Sequence, residues 1–564
     1  MPAELPWAEE YREFGIPETL EPYPEKPVHS LLEESAQEYP EQIIVHQGAE
    51  YTYEEVVEMT DKLANALGER GVEKGERVAT ILPTSLQFLV STFAISKAGG
   101  VHIPNDFLMA EDDLVYRLRQ GDPEVLIGVD HQRDLVLDLA DELDVTDVIL
   151  TELDDFAGEW PADRDTPDES VEWLPQVIDE ADPDPPEIDF DPREDVYTLM
   201  FTGGTTGRPK GCLISHFNMI AAANQAKASQ SRMANMLVGS GTGLNSLPAY
   251  HVFGYLINHV LTLMGMNQLL VSDPRDTSTM IDLIESYKPM LMSGVPTQYM
   301  ELVKNEDIEA ADDIIGITGA APLSEETKSA FSRKSKGVSQ GYGMTEMSSI
   351  ATFNVRSLLD SLQGGTSLPT TFDQQTVGVP VPDVDIKLRD VDSGEEIPLA
   401  DAIAEEREGE LLVNGPNRML GYLGDRDAAF NDEGYIETGD VAKIDEHGRF
   451  YIVDRVKDMI NVSGLKVYTE QFEEVLVRHE GVELGAAIGV PDPERPGSEL
   501  VKAFVEPKDD ADPSAAEIES HLDGDVPKHA MPTDVEFVEE MPLTAIGKTD
   551  KQALREREGL LDEE

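Results

Sequence analysis

The chain has 564 residues, of which 112 are Asp or Glu and 43 are Lys or Arg, so its formal net charge is −69. Nucleic acid is excluded as a partner, because its phosphate backbone repels a polyanion of this size. The single cysteine, Cys212, excludes internal disulfides and any metal site made of several cysteines. Acidic residues are interleaved with apolar periodic segments, which indicates a folded protein whose acidic residues lie on a solvated surface. Such a surface is suited to a cytoplasm at very high salt, so we expect a halophilic source.

The N-terminal residues and a long uncharged stretch are the candidates for targeting or membrane signals. MPAELPWAEEYREFG has neither a basic region nor an apolar core, so a cytoplasmic location is expected. Residues 252–272 carry no Asp, Glu, Lys or Arg, but they are interrupted by Asn258, His259, Asn267 and Gln268. We therefore predict a buried helix and strand there, and at most peripheral membrane contact.

Helix and strand signals alternate in the first half of the chain. Thr52 opens a capping box in front of a helix that Gly68 is expected to end. Residues 77–82 (RVATIL) predict a buried strand, residues 86–98 a helix and residues 101–104 (VHIP) the next strand. This alternation indicates an α/β architecture with parallel sheets.

Two regions are typical of connections between subdomains. Residues 152–195 are acidic and rich in proline, and residues 355–376 are rich in glycine, threonine and serine. Beyond about residue 456 the pattern changes to a compact tail, with strands expected at 486–490 and 502–506.

The stretch MFTGGTTGRPKG, residues 200–211, combines glycines, hydroxyl side chains and Lys210 directly after apolar residues. Backbone N–H groups of such a turn can converge on a phosphate, and the lysine adds a mobile positive charge. Its spacing is not that of the nucleotide-binding P-loop, because Arg208 and Pro209 separate Gly207 from Lys210. The composition nevertheless predicts a phosphate-binding loop.

Further stretches carry residues suited to nucleotide chemistry: TGAAPL (318–323), QGYGMTE (340–346), ETGD (437–440), DRVKDMINVSGLKV (454–467) and MPLTAIGK (541–548). In QGYGMTE, glycines flank Tyr342, whose ring can stack on a base, and Glu346 offers a carboxylate to a hard cation such as Mg²⁺. Together with the phosphate loop, this stretch predicts nucleotide binding.

In their order along the chain, these motifs resemble the adenylate-forming superfamily of acyl-CoA synthetases, peptide-synthetase adenylation domains and beetle luciferases. The chain is most similar to the bacterial long-chain fatty acyl-CoA synthetases, through TGGTTG, LPAYHVFG (247–254), DPRD (273–276), SGVPTQY (293–299) and NVSGLKVY (461–468). The resemblance implies a large N-terminal domain, residues 1–455, of stacked α/β subdomains with a distorted β-barrel. It also implies a small mobile α+β C-terminal domain, residues 456–564.

The same resemblance implies binding residues for ATP and Mg²⁺. The β- and γ-phosphates would be held by Thr202, Gly203, Gly204, Thr205, Thr206, Gly207 and Lys210. The adenine would be lined by Gly319, Ala320, Ala321, Gln340, Gly341, Tyr342 and Gly343. Thr345 would reach the α-phosphate, Glu346 would bind Mg²⁺, and Asp440 would accept the ribose hydroxyls. Arg455 would lie beside the ribose, and Lys457 occupies the hinge position between the domains.

The reaction implied by the resemblance joins a fatty carboxylate to AMP and then transfers the acyl group to coenzyme A. The carboxylate and the α-phosphate repel each other, so a cation must lie between them, and Lys548 and Mg²⁺ are the expected cations. Rotation of the C-terminal domain would then withdraw Lys548 and bring the loop around Gly464 to the pantetheine tunnel. His251 is similar to a residue that lies near the substrate carboxylate.

The sequence leaves other acids, acceptors and reactions open. GVSQG (337–341) fits the nucleophile elbow of serine esterases with Ser339 at its centre, although residues 331–336 are too polar for the buried strand that precedes an elbow. An acyl-AMP ligase with a carrier-protein acceptor and an aryl-CoA ligase are the enzymatic alternatives, because the acyl pocket has no diagnostic motif. The expected partners are a small-molecule carboxylate, ATP and CoA, and a homodimer is compatible with the sequence.

Overall fold

The computed structural model describes residues 5–157, 171–202, 209–304, 313–319, 325–355, 376–508, 511–543 and 549–560. In these residues the helices are α1 Ala8–Phe14, α2 Ser30–Glu38, α3 Tyr53–Glu69, α4 Leu86–Lys97, α5 Glu111–Gly121, α6 Arg133–Glu142, α7 Leu174–Glu180, α8 His216–Ser229, α9 Ser231–Leu237, α10 Val252–Leu263, α11 Thr277–Tyr287, α12 Pro296–Lys304, α13 Glu325–Ser332, α14 Leu399–Glu405, α15 Thr469–Val477, α16 Ala515–Leu522 and α17 Lys551–Arg557. Short 3-10 helices lie at Asp130–Gln132, Thr345–Met347, Asp427–Ala429 and Lys528–Ala530.

The strands of the same residues are β1 Ile43–His46, β2 Ala49–Thr52, β3 Arg77–Ile81, β4 Val101–Asn105, β5 Val125–Val129, β6 Asp147–Thr151, β7 Val171–Trp173, β8 Val196–Phe201, β9 Gly211–Ser215, β10 Thr242–Asn245, β11 Asn267–Leu270, β12 Leu291–Ser293, β13 Ile315–Thr318, β14 Gly337–Tyr342, β15 Thr352–Phe353, β16 Val379–Pro380, β17 Asp385–Arg389, β18 Glu396–Ile397, β19 Gly409–Asn414, β20 Gly421–Tyr422, β21 Ile436–Ile444, β22 Phe450–Arg455, β23 Ile460–Val462, β24 Leu465–Val467, β25 Val482–Pro491, β26 Glu499–Pro507 and β27 Asp534–Phe537.

The first large sheet has eight strands in the order β20-β9-β8-β4-β3-β5-β6-β7. Strands β8, β4, β3, β5, β6 and β7 are parallel; at one edge β9 pairs antiparallel with β8, and β20 pairs antiparallel with β9. The predicted strand, helix and strand correspond to β3, α4 and β4, so this part of the α/β prediction is confirmed. Strands β4 and β5 are buried along their whole length, as expected for a parallel sheet covered on both faces.

The second large sheet has nine strands in the order β16-β15-β14-β13-β12-β10-β11-β1-β2. Strands β10 to β14 run parallel in this sheet, so β13 and β14 end side by side at its carboxyl edge. The uncharged stretch 252–272 folds as the buried helix α10 and strand β11, which confirms that prediction. Among the described residues, no helix is both long and apolar enough to cross a membrane.

The predicted capping box is present at the start of α3. The Glu55 N–H donates to Thr52 Oγ1 at 3.2 Å, and the Thr52 N–H donates to Glu55 Oε2 at 2.7 Å. The predicted end at Gly68 is wrong, because the helix continues to Glu69. The chain turns at Gly71 instead, whose φ of 90° is a left-handed conformation that favours glycine.

The acidic, proline-rich region 152–195 is more than a connection. It contains β7, which extends the eight-stranded sheet beyond β6, and α7, whose apolar residues are buried. The prediction failed there because Trp173 and Leu174 supply buried apolar surface to a region whose average composition is polar. Of the other predicted connection, residues 356–375 lie outside the described residues.

The later part of the chain forms smaller sheets. Strands β18-β17-β19-β21-β22 make an antiparallel sheet, and its two edge strands do not pair with each other in the described residues. The distorted barrel stays a prediction. After residue 460, the hairpin β23-β24 and the sheet β25-β26-β27 have hydrophobic clusters of their own, and the predicted tail strands lie in β25 and β26. The domain boundary at 455/456 stays a prediction.

Candidate active site

The predicted phosphate-binding stretch lies between the antiparallel strands β8 and β9 in the chain. The Thr202 N–H donates to the Lys210 carbonyl at 2.9 Å, and the Lys210 N–H donates to Thr202 Oγ1 at 3.1 Å, so the two ends of the loop are tied together. The Lys210 side chain is exposed and borders a cleft of about 240 Å³ that Phe201 and Tyr422 also line. The predicted phosphate contacts Gly203, Gly204, Thr205, Thr206 and Gly207 lie outside the described residues.

The predicted adenine-binding residues lie at the carboxyl ends of β13 and β14. These strands are parallel neighbours with Thr318 opposite Gln340, so Gly319 and Gly341 follow side by side. A Cβ at Gly319 would lie 3.4 Å from both the Gly341 carbonyl oxygen and the Phe253 ring. Crevices at the carboxyl ends of parallel strands are common ligand sites. The predicted contacts Ala320 and Ala321 lie outside the part of the chain that the structure describes.

Glycine at position 343 allows the chain to turn from β14 into the 3-10 helix Thr345–Met347. A Cβ there would lie 1.7 Å from the Ser349 carbonyl oxygen, so no larger residue fits. Thr345 is buried in this helix, and Glu346 is half-buried. The structure thus places Thr345 and Glu346 directly after the predicted adenine loop.

The Glu346 carboxylate is held by one oxygen. Tyr422 donates its hydroxyl to Glu346 Oε1 at 2.8 Å, and no other described residue forms a hydrogen bond or ion pair with this carboxylate. The second oxygen is therefore available to a ligand. Magnesium is usually bound in proteins by one or two carboxylates together with substrate phosphates, so the donor set fits this ion.

Asp440 is bonded on both carboxylate oxygens. Tyr342 donates its hydroxyl to Oδ2 at 2.6 Å, and Arg455 donates Nε–H to Oδ1 at 2.9 Å from the opposite position on β22. Burial and the charge of Asp440 raise the pKa of Tyr342 well above its usual range, so the hydroxyl stays protonated. The structure brings these three predicted nucleotide contacts together.

His251 precedes α10 and caps its N-terminus. The Phe253 N–H donates to His251 Nδ1 at 3.4 Å, so the neutral imidazole carries its proton on Nε2. Through Phe253, whose ring approaches Gly319, this helix start lies against the carboxyl edge of the nine-stranded sheet. Phe253 was missed by the sequence analysis, because an aromatic residue in an apolar stretch is typical of a core position.

The predicted hinge residue Lys457 is half-buried, and burial lowers its pKa to about 8. Arg555 of α17 donates to the Lys457 carbonyl at 3.3 Å and to Asp458 Oδ1 at 2.9 Å. Gly464 lies in the exposed β23-β24 turn with a φ of 87°, and a Cβ there would meet no atom within 4 Å among the described residues. The backbone conformation, and not a lack of space, therefore explains why glycine stands at position 464. Lys548 lies outside the described residues.

Ser339 is not a nucleophile elbow in this structure. It lies inside strand β14, its side chain is fully buried, and its hydroxyl donates to the Asn354 carbonyl. An elbow serine stands on an exposed turn between strand and helix. The esterase alternative is therefore wrong on geometric grounds.

Tyr422 is the second site residue that the sequence analysis missed. It lies on the short strand β20, where its ring is 4.9 Å from Lys210 Nζ and its hydroxyl reaches Glu346. The only local signal is the glycine-flanked aromatic of GYLG (421–424), which resembles the pattern of QGYG.

Two family models match this chain. The model of the AMP-binding enzyme matches residues 32–423, and the model of the AMP-binding enzyme C-terminal domain matches residues 471–548. The first range contains Lys210, His251 and Glu346, and the second ends at Lys548.

Individual proteins are similar to this chain over nearly its whole length. A long-chain-fatty-acid–CoA ligase of Bacillus subtilis (strain 168) is 30% identical over 583 aligned positions, which cover 99% of both chains. A feruloyl-CoA synthase of Amycolatopsis sp is also 30% identical and covers 91% of this chain and 95% of that protein. The crystal structure of ATP-bound MatB from Rhodopseudomonas palustris matches with a TM-score of 0.79 at 26% identity, covering 94% of this chain and 99% of that one.

Proposed function

The chain belongs to the AMP-binding enzyme family and is an acid–thiol ligase, and we propose that its acid is a fatty carboxylate of medium or long chain. The observation that carries this proposal is the similarity to a long-chain-fatty-acid–CoA ligase along 99% of both chains. An aryl acid is the second candidate, because the feruloyl-CoA synthase reaches the same identity over a shorter part of this chain.

The arrangement of side chains supports an adenylation site at the carboxyl edge of the nine-stranded sheet. Lys210 would bind the β- and γ-phosphates of ATP, and Asp440 would accept the ribose hydroxyls while Tyr342 and Arg455 hold it in place. His251 would donate Nε2–H to the substrate carboxylate. Glu346 would hold Mg²⁺ through its open oxygen, and the ion, when bound, supplies positive charge to the phosphates.

In the first half-reaction, a carboxylate oxygen of the acid would attack the α-phosphorus, and pyrophosphate would leave. In the second, the CoA thiol would lose its proton and attack the acyl carbon, and AMP would leave. We propose that Thr345 and Lys548 stabilise the first transition state. Residues 456–564 would then rotate about Lys457, bringing the turn at Gly464 towards the thiol. A cytoplasmic location and a homodimer also stay proposals.

The test is exchange of labelled pyrophosphate into ATP, in molar KCl with Mg²⁺ and without CoA, for acetate, palmitate and ferulate. Exchange with palmitate alone is the expected result, and exchange with ferulate alone would establish the aryl-CoA ligase instead. AMP release in multiple turnovers should then require CoA. Release supported by a carrier protein but not by CoA would identify an acyl-AMP ligase.

A further inference from the structure

Tyr422 contacts two groups of opposite charge that the proposed function assigns to the triphosphate. Its hydroxyl donates a hydrogen bond of 2.8 Å to Glu346 Oε1, and its ring centroid lies 4.9 Å from Lys210 Nζ. The face of an aromatic ring attracts a cation, and a hydroxyl bonded to a carboxylate restricts its orientation. One neutral side chain thus contacts both the lysine and the carboxylate.

The backbone on both sides of Tyr422 is tied to the segments that carry the two charges. The Leu423 N–H donates to the Gly211 carbonyl at 2.8 Å, next to the lysine of the phosphate loop. The Met419 N–H donates to the Glu346 carbonyl at 2.8 Å. Because β20 also pairs with β9, the ring cannot slide along its strand without breaking these bonds.

Lys210 and Glu346 lie near each other, because both contact the same Tyr422 side chain. Burial raises the pKa of the Cys212 thiol, the charge of Glu346 raises it further, and the charge of Lys210 opposes that rise. Opposite charges on neighbouring side chains attract each other. If they formed a direct ion pair, each would be neutralised by the other and neither would be free for a ligand.

We propose that Tyr422 is a positioning residue for the metal–triphosphate unit. Its hydroxyl aims Glu346 so that one carboxylate oxygen faces the ion, and its ring holds Lys210 apart from Glu346 so that the ammonium faces the phosphates. This inference rests on the proposed adenylation and extends it to a residue that touches neither the acid nor the reacting phosphorus.

The test compares Tyr422→Phe, which removes only the hydroxyl, with Tyr422→Leu, which also removes the aromatic face. Tyr451→Phe is the matched control. The Tyr451 hydroxyl donates to Asp445 at 3.1 Å, and its ring lies 5.5 Å from Lys443 Nζ. Tyr451 therefore contacts a carboxylate and a lysine as Tyr422 does, but away from the proposed triphosphate site. Each variant is assayed for pyrophosphate exchange against Mg²⁺ concentration and, by calorimetry, for ATP binding with and without Mg²⁺.

For Tyr422→Phe we expect the Mg²⁺ concentration for half-maximal exchange to rise about 10-fold, the usual effect of losing a group that orients a metal-binding side chain. Its affinity for ATP without Mg²⁺ should stay within about twofold, because the ring still holds Lys210. Tyr422→Leu should in addition bind metal-free ATP about 10-fold more weakly, since Lys210 can then pair with Glu346. Both variants should form the thioester from synthetic acyl-adenylate at the unaltered rate, because that step uses neither triphosphate nor metal.

An unchanged Mg²⁺ requirement in Tyr422→Phe, or an equal rise in Tyr451→Phe, would overturn the inference. So would an equal loss of both half-reactions, which indicates a packing role only. If no acid supports exchange in the unaltered protein, the proposed function fails. The calorimetric titrations still decide the inference then, because Mg²⁺ must strengthen ATP binding less in Tyr422→Phe than in the unaltered chain.

Discussion

The Tyr342 hydroxyl donates a 2.6 Å hydrogen bond to Asp440, although 98 residues separate the two in the chain. Arg455 binds the other oxygen of the same carboxylate at 2.9 Å. This arrangement joins the end of β14 to β21 and fixes the distance between the groups proposed to contact adenine and ribose. The hydroxyl donates at all working pH values, because burial raises the pKa of Tyr342.

Tyr342→Phe is expected to raise the KM for ATP about 10-fold, since a hydrogen bond to a charged group is lost and Asp440 is held from one side only. The melting temperature should change little, because the ring stays in place. Steady-state exchange kinetics measure the first quantity. Tyr435→Phe, which removes a hydroxyl bonded to Asp385 outside the site, should leave the KM unaltered. Equal shifts in both variants would contradict the assignment.

Glu346→Gln is expected to reduce pyrophosphate exchange by about 100-fold or more, because the neutral amide keeps the Tyr422 hydrogen bond but loses the charge that binds the cation. The rate of thioester formation from synthetic acyl-adenylate should stay within about twofold. Rapid-quench measurements of the two half-reactions separate these effects. A parallel decline of both rates would instead indicate damage to the fold.

Lys548→Ala is expected to slow the first half-reaction about 100-fold, which corresponds to about 3 kcal/mol of transition-state stabilisation. The second half-reaction should be retained, because Lys548 is proposed to leave the site before it. The exposed Lys508 offers a control on the same part of the chain, and Lys508→Ala should alter neither rate. Selective loss of the second half-reaction would reverse the proposed role of the lysine.

Acid should destabilise the fold through buried histidines. Burial lowers the pKa of His29, His46 and His259 to about 4, and of His102 and His216 to about 3. Above pH 6.5 these groups are neutral in both states and contribute nothing. Below it the unfolded chain takes up protons that the folded chain does not, so each histidine removes about 1.4 kcal/mol of stability per pH unit until the folded pKa is reached.

Denaturant titrations between pH 4.5 and 7.5, in molar KCl, measure this slope. His259→Gln should make it shallower by about the contribution of one histidine, whatever the variant does to absolute stability. Equal slopes in the unaltered protein and the variant would show that His259 does not contribute to acid sensitivity.

The net charge of −69 predicts salt-dependent folding. Repulsion among surface carboxylates extends about 30 Å at 0.01 M salt and only about 3 Å at 1 M, so dilute buffer should unfold the protein and molar KCl should restore it. Circular dichroism and exchange activity against KCl concentration test this, with sucrose as an uncharged solute that does not screen. Full activity without salt would contradict a halophilic origin.

The sequence by itself determined the family and many of the helices and strands, because these depend on local patterns. The capping box at Thr52, the helix α10 and the strands β3 and β4 follow from spacing and burial within a few residues. The local pattern predicted the wrong helix end at Gly68, because the left-handed turn lies at Gly71. It also predicted only a connection around Trp173, because the average composition there is acidic although Trp173 and Leu174 are apolar.

Only the tertiary structure decided which groups face one another. The bonds from Tyr342 to Asp440 and from Tyr422 to Glu346 join segments 98 and 76 residues apart, and they depend on how β14, β20 and β21 are placed. Burial of Ser339 within β14 was likewise decided by its neighbours in the sheet. No local pattern encodes these relationships, because hydrogen bonding and desolvation depend on atoms that other parts of the chain bring into contact.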